Sequence, residues 1–279
     1  MTIKKKIIKL IKKNKQIYKI GLNYKNSRYL KKIKKFKKST IKNCNVLGMK
    51  YKLLLDPENG YIDNLIYVFG NYELETLSFF KKKIKKGNVF VDVGANIGQH
   101  SIFVSKVVGD RGLVISFEPI TKLYLQFLKS IEINNLKNIK SHNFACGDIN
   151  EDSQISICKN NAGASSILIK NKNQEIQKIK IRKLDDFIKS KVDFIKIDVE
   201  GYEPQVIFGA KNIIKKYKPK ILLEYNPNAY HDKGLGMFSF LIEEGYTFTD
   251  FDTENNSDYV AYIKNFKEKQ KNIYFELKN

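Results

Sequence analysis

A chain of 279 residues is long enough for one α/β domain of roughly 200 residues with an extension. Apolar residues make up 42% of it, yet charges break every apolar run well before the roughly 18 residues a spanning helix needs, which excludes a transmembrane helix. The net charge of +22 is lopsided: residues 1–55 hold 18 Lys, Arg28 and no acid, so +19 sits there and basicity belongs to the tail rather than to a nucleic-acid-binding domain.

Lysines outnumber arginines 48 to 3, and Asn and Ile are abundant, a bias that AT-rich coding produces without any partner. Cys44, Cys146 and Cys158 are an odd set without CxxC spacing, as expected in a reducing compartment. The first residues lack the unbroken apolar stretch and small-residue cleavage site of a secretory signal, so the expected location is cytoplasmic.

In chain order, Ile3, Ile7, Leu10, Ile11, Ile17 and Tyr18 recur at helical spacing among lysines. Residues 2–20 therefore read as a basic amphipathic helix, followed by a second basic stretch at 28–38. Through residues 1–40 such a tail would meet an anionic membrane at its inner face or a polyanionic partner; the alternative is a solvated helix packed on the domain. We assign 1–45 to this extension and 46–279 to the main domain, with its core at 70–250. A strand at 46–55 ends in the turn Asp56-Pro57-Glu58-Asn59-Gly60, and a helix is predicted over 71–86, stopped by Gly87.

Beyond Gly87 the pattern alternates: strand 89–93, helix 97–108, strand 113–117, helix 122–134, strand 139–144. Runs at 154–158 and 166–170 read as an inserted hairpin near 153–170 joined through Asn160 to Gly163, with 176–181 extended. The alternation resumes with helix 184–189, strand 192–197, helix 204–216, strand 221–225 and helix 237–244. Segments 246–250, 260–263 and 273–275 are expected to close the sheet. Strands alternating with helices predict a mostly parallel sheet covered on both faces.

In such a sheet ligands bind beyond the carboxyl ends of the strands. After the first comes Asp92-Val93-Gly94-Ala95-Asn96-Ile97-Gly98, whose glycine spacing differs from the Gly-x-Gly-x-x-Gly of dinucleotide folds and whose acid would repel a pyrophosphate. An acid there suits a cation, and S-adenosylmethionine carries an ammonium and a sulfonium. Glu118 ends the second strand, where a carboxylate can accept from both ribose hydroxyls. Asp148, in Ala145-Cys146-Gly147-Asp148, is placed at the adenine edge. Asp198, Glu200 and Glu203 end the fourth strand: Asp198 near the methyl end, Glu200 facing the acceptor as orienter or base, Glu203 opening the next helix. Glu224 ends the fifth strand beside the acceptor, and His231 comes after it as a candidate base. No adjacent Asp or Asn pair or His spacing marks a metal site, so none is expected.

The stretches DVGANIGQHS from Asp92, FEP at Glu118, IRKLDDFI at 181–188 and DFIKIDVEGYE at 193–203 together resemble the FkbM family of methyltransferases, and Gly70-x-Tyr72-Glu73 is similar to the segment before its domain. The resemblance spans residues 70–250. It implies the class I methyltransferase fold, a Rossmann-like three-layer sandwich on a seven-stranded sheet with the last strand antiparallel. It also implies S-adenosylmethionine as cofactor and O-methylation, often of sugars in glycans, lipopolysaccharides or natural products. By that likeness Asp92, Gly94, Asn96, Gly98, Glu118 and Asp198 contact the cofactor, with Ala95 between them in the loop.

Two rival readings remain open. A ribose O-methyltransferase would use the basic tail on RNA, although base-amino chemistry lacks its Asn/Asp-Pro-Pro-aromatic turn after the fourth strand. An oxidoreductase would place NAD at the same half-site.

Overall fold

The computed structural model describes residues 32–158, 165, 167, 175–226, 230, 233–250, 260, 262–263, 266 and 270–278. The amphipathic stretch at 2–20, the segment Asn160 to Gly163 and His231 lie outside the described residues. Among the described residues no helix is long and apolar enough to cross a membrane.

Strands β1 (Thr40–Val46) and β2 (Met49–Leu55) form an antiparallel hairpin that pairs Val46 with Met49. At its tip Leu47 and Gly48 have φ of 52° and 84°, the consecutive left-handed residues of a turn that matches strand twist. The strand expected at 46–55 is therefore one arm of two, and the other crosses the expected boundary at residue 45. Leu47 occupies a position where Asn or Asp usually announces the turn, which is why the sequence concealed it.

Gln126 ties this hairpin to the helix Tyr61–Phe69. Its Nε2 donates to Leu54 O (2.7 Å) and to Asp63 Oδ1 (2.8 Å), and Asp63 Oδ1 also accepts from Asp56 N (2.7 Å). Asp63 belongs to that helix, an element absent from the sequence reading, which stops at Gly70 in the left-handed region. The helix Leu74–Lys83 comes next, shorter than the expected 71–86 because Tyr72 and Glu73 are held outside it.

The central sheet contains β3 (Val89–Val93), β4 (Leu113–Phe117), β5 (Ile139–His142), β9 (Phe194–Ile197), β10 (Lys220–Tyr225), β11 (Tyr246–Asp250) and β12 (Lys271–Leu277). Their order is β11-β12-β10-β9-β3-β4-β5. The contacts from β10 through β5 are parallel, and β12 runs antiparallel between β10 and β11. This is the class I methyltransferase arrangement.

Alternate residues of each strand face opposite cores, as a pleated sheet requires. Phe90, Val114, Phe194 and Leu222 join one core with Ile102, Phe103 and Phe127 of the helices Gln99–Val108 and Thr121–Ile133, the hairpin and Leu77 and Phe80. Val91, Val93, Ile195 and Leu223 join the other with Val206, Ile213, Phe238 and Leu241. Three layers result.

A smaller sheet, in the order β6-β8-β7, is formed by β6 (Ala145–Cys146), β7 (Glu151–Ile157) and β8 (Glu175–Arg182). The inserted hairpin pairs Glu151–Ile157 with Glu175–Arg182; of its expected second arm, residues 166 and 168–170 lie outside the described residues. Two other expectations change. The helix expected at 204–216 breaks into Glu203–Phe208 and Lys211–Tyr217. The break occurs where Gly209 lies against Gly147, whose carbonyl oxygen would be 1.8 Å from a Cβ there. Val260, Tyr262 and Ile263, expected in the sheet, are helical, and the segments expected at 246–250 and 273–275 are the ones found in it, as β11 and β12.

Candidate active site

A polar rung crosses the apolar sheet just below its carboxyl end. Asp92 of β3 stands in register with Ser116 of β4 on one side and Lys196 of β9 on the other. Ser101 Oγ, from the first turn of the next helix, donates to Asp92 Oδ2 (2.6 Å) and shares a hydrogen bond with Ser116 Oγ (2.7 Å). Lys196 Nζ lies 3.4 Å from Asp92 Oδ1 and 3.3 Å from Asp198 Oδ2, and donates to Gly94 O (3.0 Å). Burial alone would lower the Lys196 ammonium, but Asp198, Asp92 and Glu73 hold it above its ordinary value. It is a fixed positive charge.

Above the rung the chain from Gly94 to Gly98 forms a loop saturated with internal hydrogen bonds. The amides of Gly94 and Ala95 both donate to Phe117 O (3.0 Å each), that of Asn96 to Glu118 Oε2 (2.8 Å), that of Ile97 to Asn96 Oδ1 (2.8 Å) and that of Gly98 to Ala95 O (2.9 Å). Gly94 and Gly98 have φ of 79° and 82°. A Cβ on Gly94 would sit 1.9 Å from Asp198 O, and one on Gly98 would sit 1.9 Å from Phe127 Cδ2. Both glycines are dictated by close packing beneath the loop.

A cavity of about 310 Å³ opens over these strand ends. One end is largely apolar, lined by Phe117, Ile120, Leu123, Phe144, Ala145 and Cys146, with Glu118 among them. Glu118 Oε1 accepts from Ile120 N (2.8 Å) as Oε2 does from Asn96 N, so each oxygen keeps a lone pair for a ligand. Burial pushes its carboxyl up to about 7 against the pull of those two amides.

The other end is acidic. Asp198 and Glu200 rise from the turn after β9, Glu224 from the end of β10, and each offers a carboxylate oxygen within 4.8 Å of the others. Glu200 sits at φ 53°, an uncommon conformation for a side-chain-bearing residue, followed by Gly201 at 101°. Buried Glu203 holds this turn, its Oε1 accepting from Val199 N (2.9 Å) and Gly201 N (3.4 Å), and it opens the next helix as expected. Burial, then the charges of Asp198 and Glu203, push Glu200 up to about 8; burial and the surrounding carboxylates push Glu224 up to about 9. Gln270 Nε2 donates to Glu224 Oε1 (2.9 Å). Three clustered carboxylates could hold a metal ion, where the sequence suggested none, but Lys196 already supplies a cation 3.3 Å from Asp198.

The segment Tyr72-Glu73 closes this end. Gln99 clamps the Tyr72 backbone, Oε1 accepting from its amide and Nε2 donating to its carbonyl, at 2.7 Å each. Tyr72 and Tyr61 meet edge to face at a centroid distance of 6.4 Å, and both line the cavity. His100, buried against Phe80, also lines it. Burial, with help from Lys196, lowers the His100 imidazole to about 3, which keeps it neutral.

Residues 92–252, more than half of the chain, match the family model described as the methyltransferase FkbM domain. The chain belongs to the FkbM methyltransferase family. It is similar to Methyltransferase 1 of Beauveria bassiana (strain ARSEF 2860), at 22% identity over 144 residues, 43% of this chain and 57% of that protein. The chain thus matches less than two thirds of that relative's length. Among solved structures it is similar to the methyltransferase FkbM from Methylobacillus flagellatus KT, at 18% identity and a TM-score of 0.46, covering 77% of this chain and 54% of that one. It is also similar to a SAM-dependent O-methyltransferase from Thermotoga maritima, at 12% identity and a TM-score of 0.45, covering 86% and 78%.

The cofactor of this FkbM domain is S-adenosylmethionine, and the cavity residues fit it. The spare lone pairs of Glu118 suit ribose hydroxyls, the apolar end suits adenine, and the acidic end suits the ammonium and sulfonium. Gly94, Ala95, Asn96, Glu118, Asp198, Glu200 and Glu224 all line the cavity. Three expected residues do not. Asp92 has no exposed surface, and its oxygens face Ser101 and Lys196, so it balances a protein cation instead of a ligand. Gly98 turns into the helix against Phe127. Asp148 does not line it; the Gly147-Asp148 backbone packs on Gly209. Conversely, Tyr72, Gln99, His100 and Lys196 were missed as site residues, although a lone Lys inside the apolar run Phe194-Ile195-Lys196-Ile197 was a legible signal.

Proposed function

We propose that this FkbM domain transfers the methyl group of S-adenosylmethionine to a hydroxyl oxygen of a sugar, glycan or glycolipid. The observation carrying this reading is that the Tyr61–Tyr72 pair lines the same cavity as the raised carboxyls of Glu200 and Glu224. Aromatic faces with hydrogen-bonding carboxyls suit a ring bearing several neutral hydroxyls.

When bound, the cofactor supplies a methyl carbon activated by its sulfonium leaving group. The protein's work is then to hold the acceptor oxygen in line behind that carbon, and orientation of this kind can contribute roughly 7–11 kcal/mol. Glu224, fixed by Gln270, orients a neighbouring hydroxyl. Glu200 takes the proton from the attacking one, a contribution of about 10²–10⁴-fold.

Incubating the protein with methyl-labelled cofactor and separated glycan, glycolipid, lipid and RNA fractions tests the assignment. Label should enter glycan or glycolipid as an alkali-stable methyl ether. Label confined to RNA would replace this reading with ribose methylation.

A further inference from the structure

We propose that His100 donates the hydrogen bond that holds the α-carboxylate of S-adenosylmethionine. The inference rests on the methyltransferase reading of the cavity and extends it to the end opposite Glu118. That end is crowded with acids: Glu73, Asp198, Glu200 and Glu224. They suit the cofactor's ammonium and sulfonium, yet its carboxylate must find a donor among them, since a carboxylate left without one costs more than the bond would contribute.

Several candidate donors are already engaged. The amides of Gly94, Ala95, Asn96, Ile97 and Gly98 all donate within the loop or to its neighbours. Lys196 is only 4% exposed, and its Nζ is spent on Gly94 O, Asp92 and Asp198. Gln99 Nε2 donates to Tyr72 O and Gln270 Nε2 to Glu224. The Tyr72 hydroxyl is hydrogen-bonded to Glu73.

His100 differs from these. It is 7% exposed, lines the cavity, and its Nε2 is buried without a hydrogen-bond partner; Glu73 Oε2 lies 3.6 Å away, beyond hydrogen-bond reach. Asp198 and Lys196 act on its ring, which locates it at the acidic end. A neutral imidazole with its proton on Nε2 offers one N–H, and the nearby Glu73 oxygen favours that tautomer. Such a donor accepts a carboxylate into an acidic pocket without collapsing into an ion pair with the acids around it.

Titration calorimetry with two ligands tests this: S-adenosylmethionine and its decarboxylated analogue, which keeps the adenosine, the sulfonium and the amine. The native protein should bind the analogue about tenfold more weakly. His100→Phe keeps a ring against Phe80 but has no N–H, and it should bind both within about twofold of each other, with its loss confined to the complete cofactor. His100→Gln, which restores an N–H donor, should recover part of the preference. If the ring substitution unfolds the protein, His100→Ala with the same two ligands reads the same difference. Retained preference in a variant without the donor, or none in the native protein, overturns the assignment. Failure of the native protein to bind either ligand overturns the cofactor reading beneath it as well, so the two failures are distinguishable.

Discussion

At the scale of single residues, the acid of the glycine loop changes meaning once its neighbours are known. Asp92 serves the site through Lys196, which spans from it to Asp198 and to the Gly94 carbonyl. Lys196→Met should therefore cost about 3–5 kcal/mol in urea unfolding, because it strands a fully buried carboxylate. Adding Asp92→Asn should recover much of that loss while cofactor affinity stays low, since Asp198 remains unanchored. Glu200 gives a pH-dependent counterpart. Its folded carboxyl, pushed up to about 8, keeps a proton that the unfolded chain releases near the ordinary value of 4.5. Native stability from this group is thus complete below about pH 4.5 and is lost as pH rises toward 8. Turnover should move the opposite way, rising through pH 8 as the base ionises, and Glu200→Gln should flatten both profiles. A wild-type pH–rate profile in that variant would remove Glu200 as the base. The strand-end acids were legible because the parallel-sheet rule fixes where such residues point. The orientation of Asp92 was not, because period-two alternation assigns a face without saying which partner occupies it.

At the scale of elements, the loop between β3 and its helix is built around contacts its glycines permit. Gly94→Ala places a methyl 1.9 Å from the Asp198 carbonyl oxygen, which is backbone and can move only with β9. We expect roughly 2–3 kcal/mol of destabilisation from overpacking and positive-φ strain, together with a loss of cofactor affinity larger than that of Gly98→Ala. In the latter, the obstacle is the Phe127 ring, which can yield. Thermal unfolding and calorimetry on the two variants would separate these effects. Equal losses would count against a special link between Gly94 and Asp198. Core strands were readable to within a residue or two, as with Val89–Val93 and Leu113–Phe117, because buried apolar runs leave one assignment. The failures arose from tertiary contacts. Gly209 ended a helix through its packing on Gly147, and the pairing of Glu151–Ile157 with Glu175–Arg182 spans a long intervening segment that local periodicity does not register.

At the scale of the whole molecule, charge is segregated: residues 1–55 hold +19 while the cavity is acidic. We propose that the basic stretch meets an anionic lipid surface, leaving the cavity to a neutral acceptor. Sedimentation with phosphatidylserine vesicles should carry the protein down at low salt and release it at high salt, whereas phosphatidylcholine vesicles should leave it in solution. Equal binding to both would sink the proposal. The sheet order carries a different consequence, one that concerns how the fold is reached. Strand β12 follows β11 in the chain, yet it lies between β11 and β10. Until it inserts, the edge of β10 has no partner on that side, and Ile273 and Phe275 are missing from a core otherwise assembled. A nascent chain that has emerged only through β11 therefore presents an open, apolar strand edge, a template for joining another copy. Closure waits for a late segment to thread between two earlier ones, so the period just before β12 emerges is when this protein most needs protection from its own neighbours.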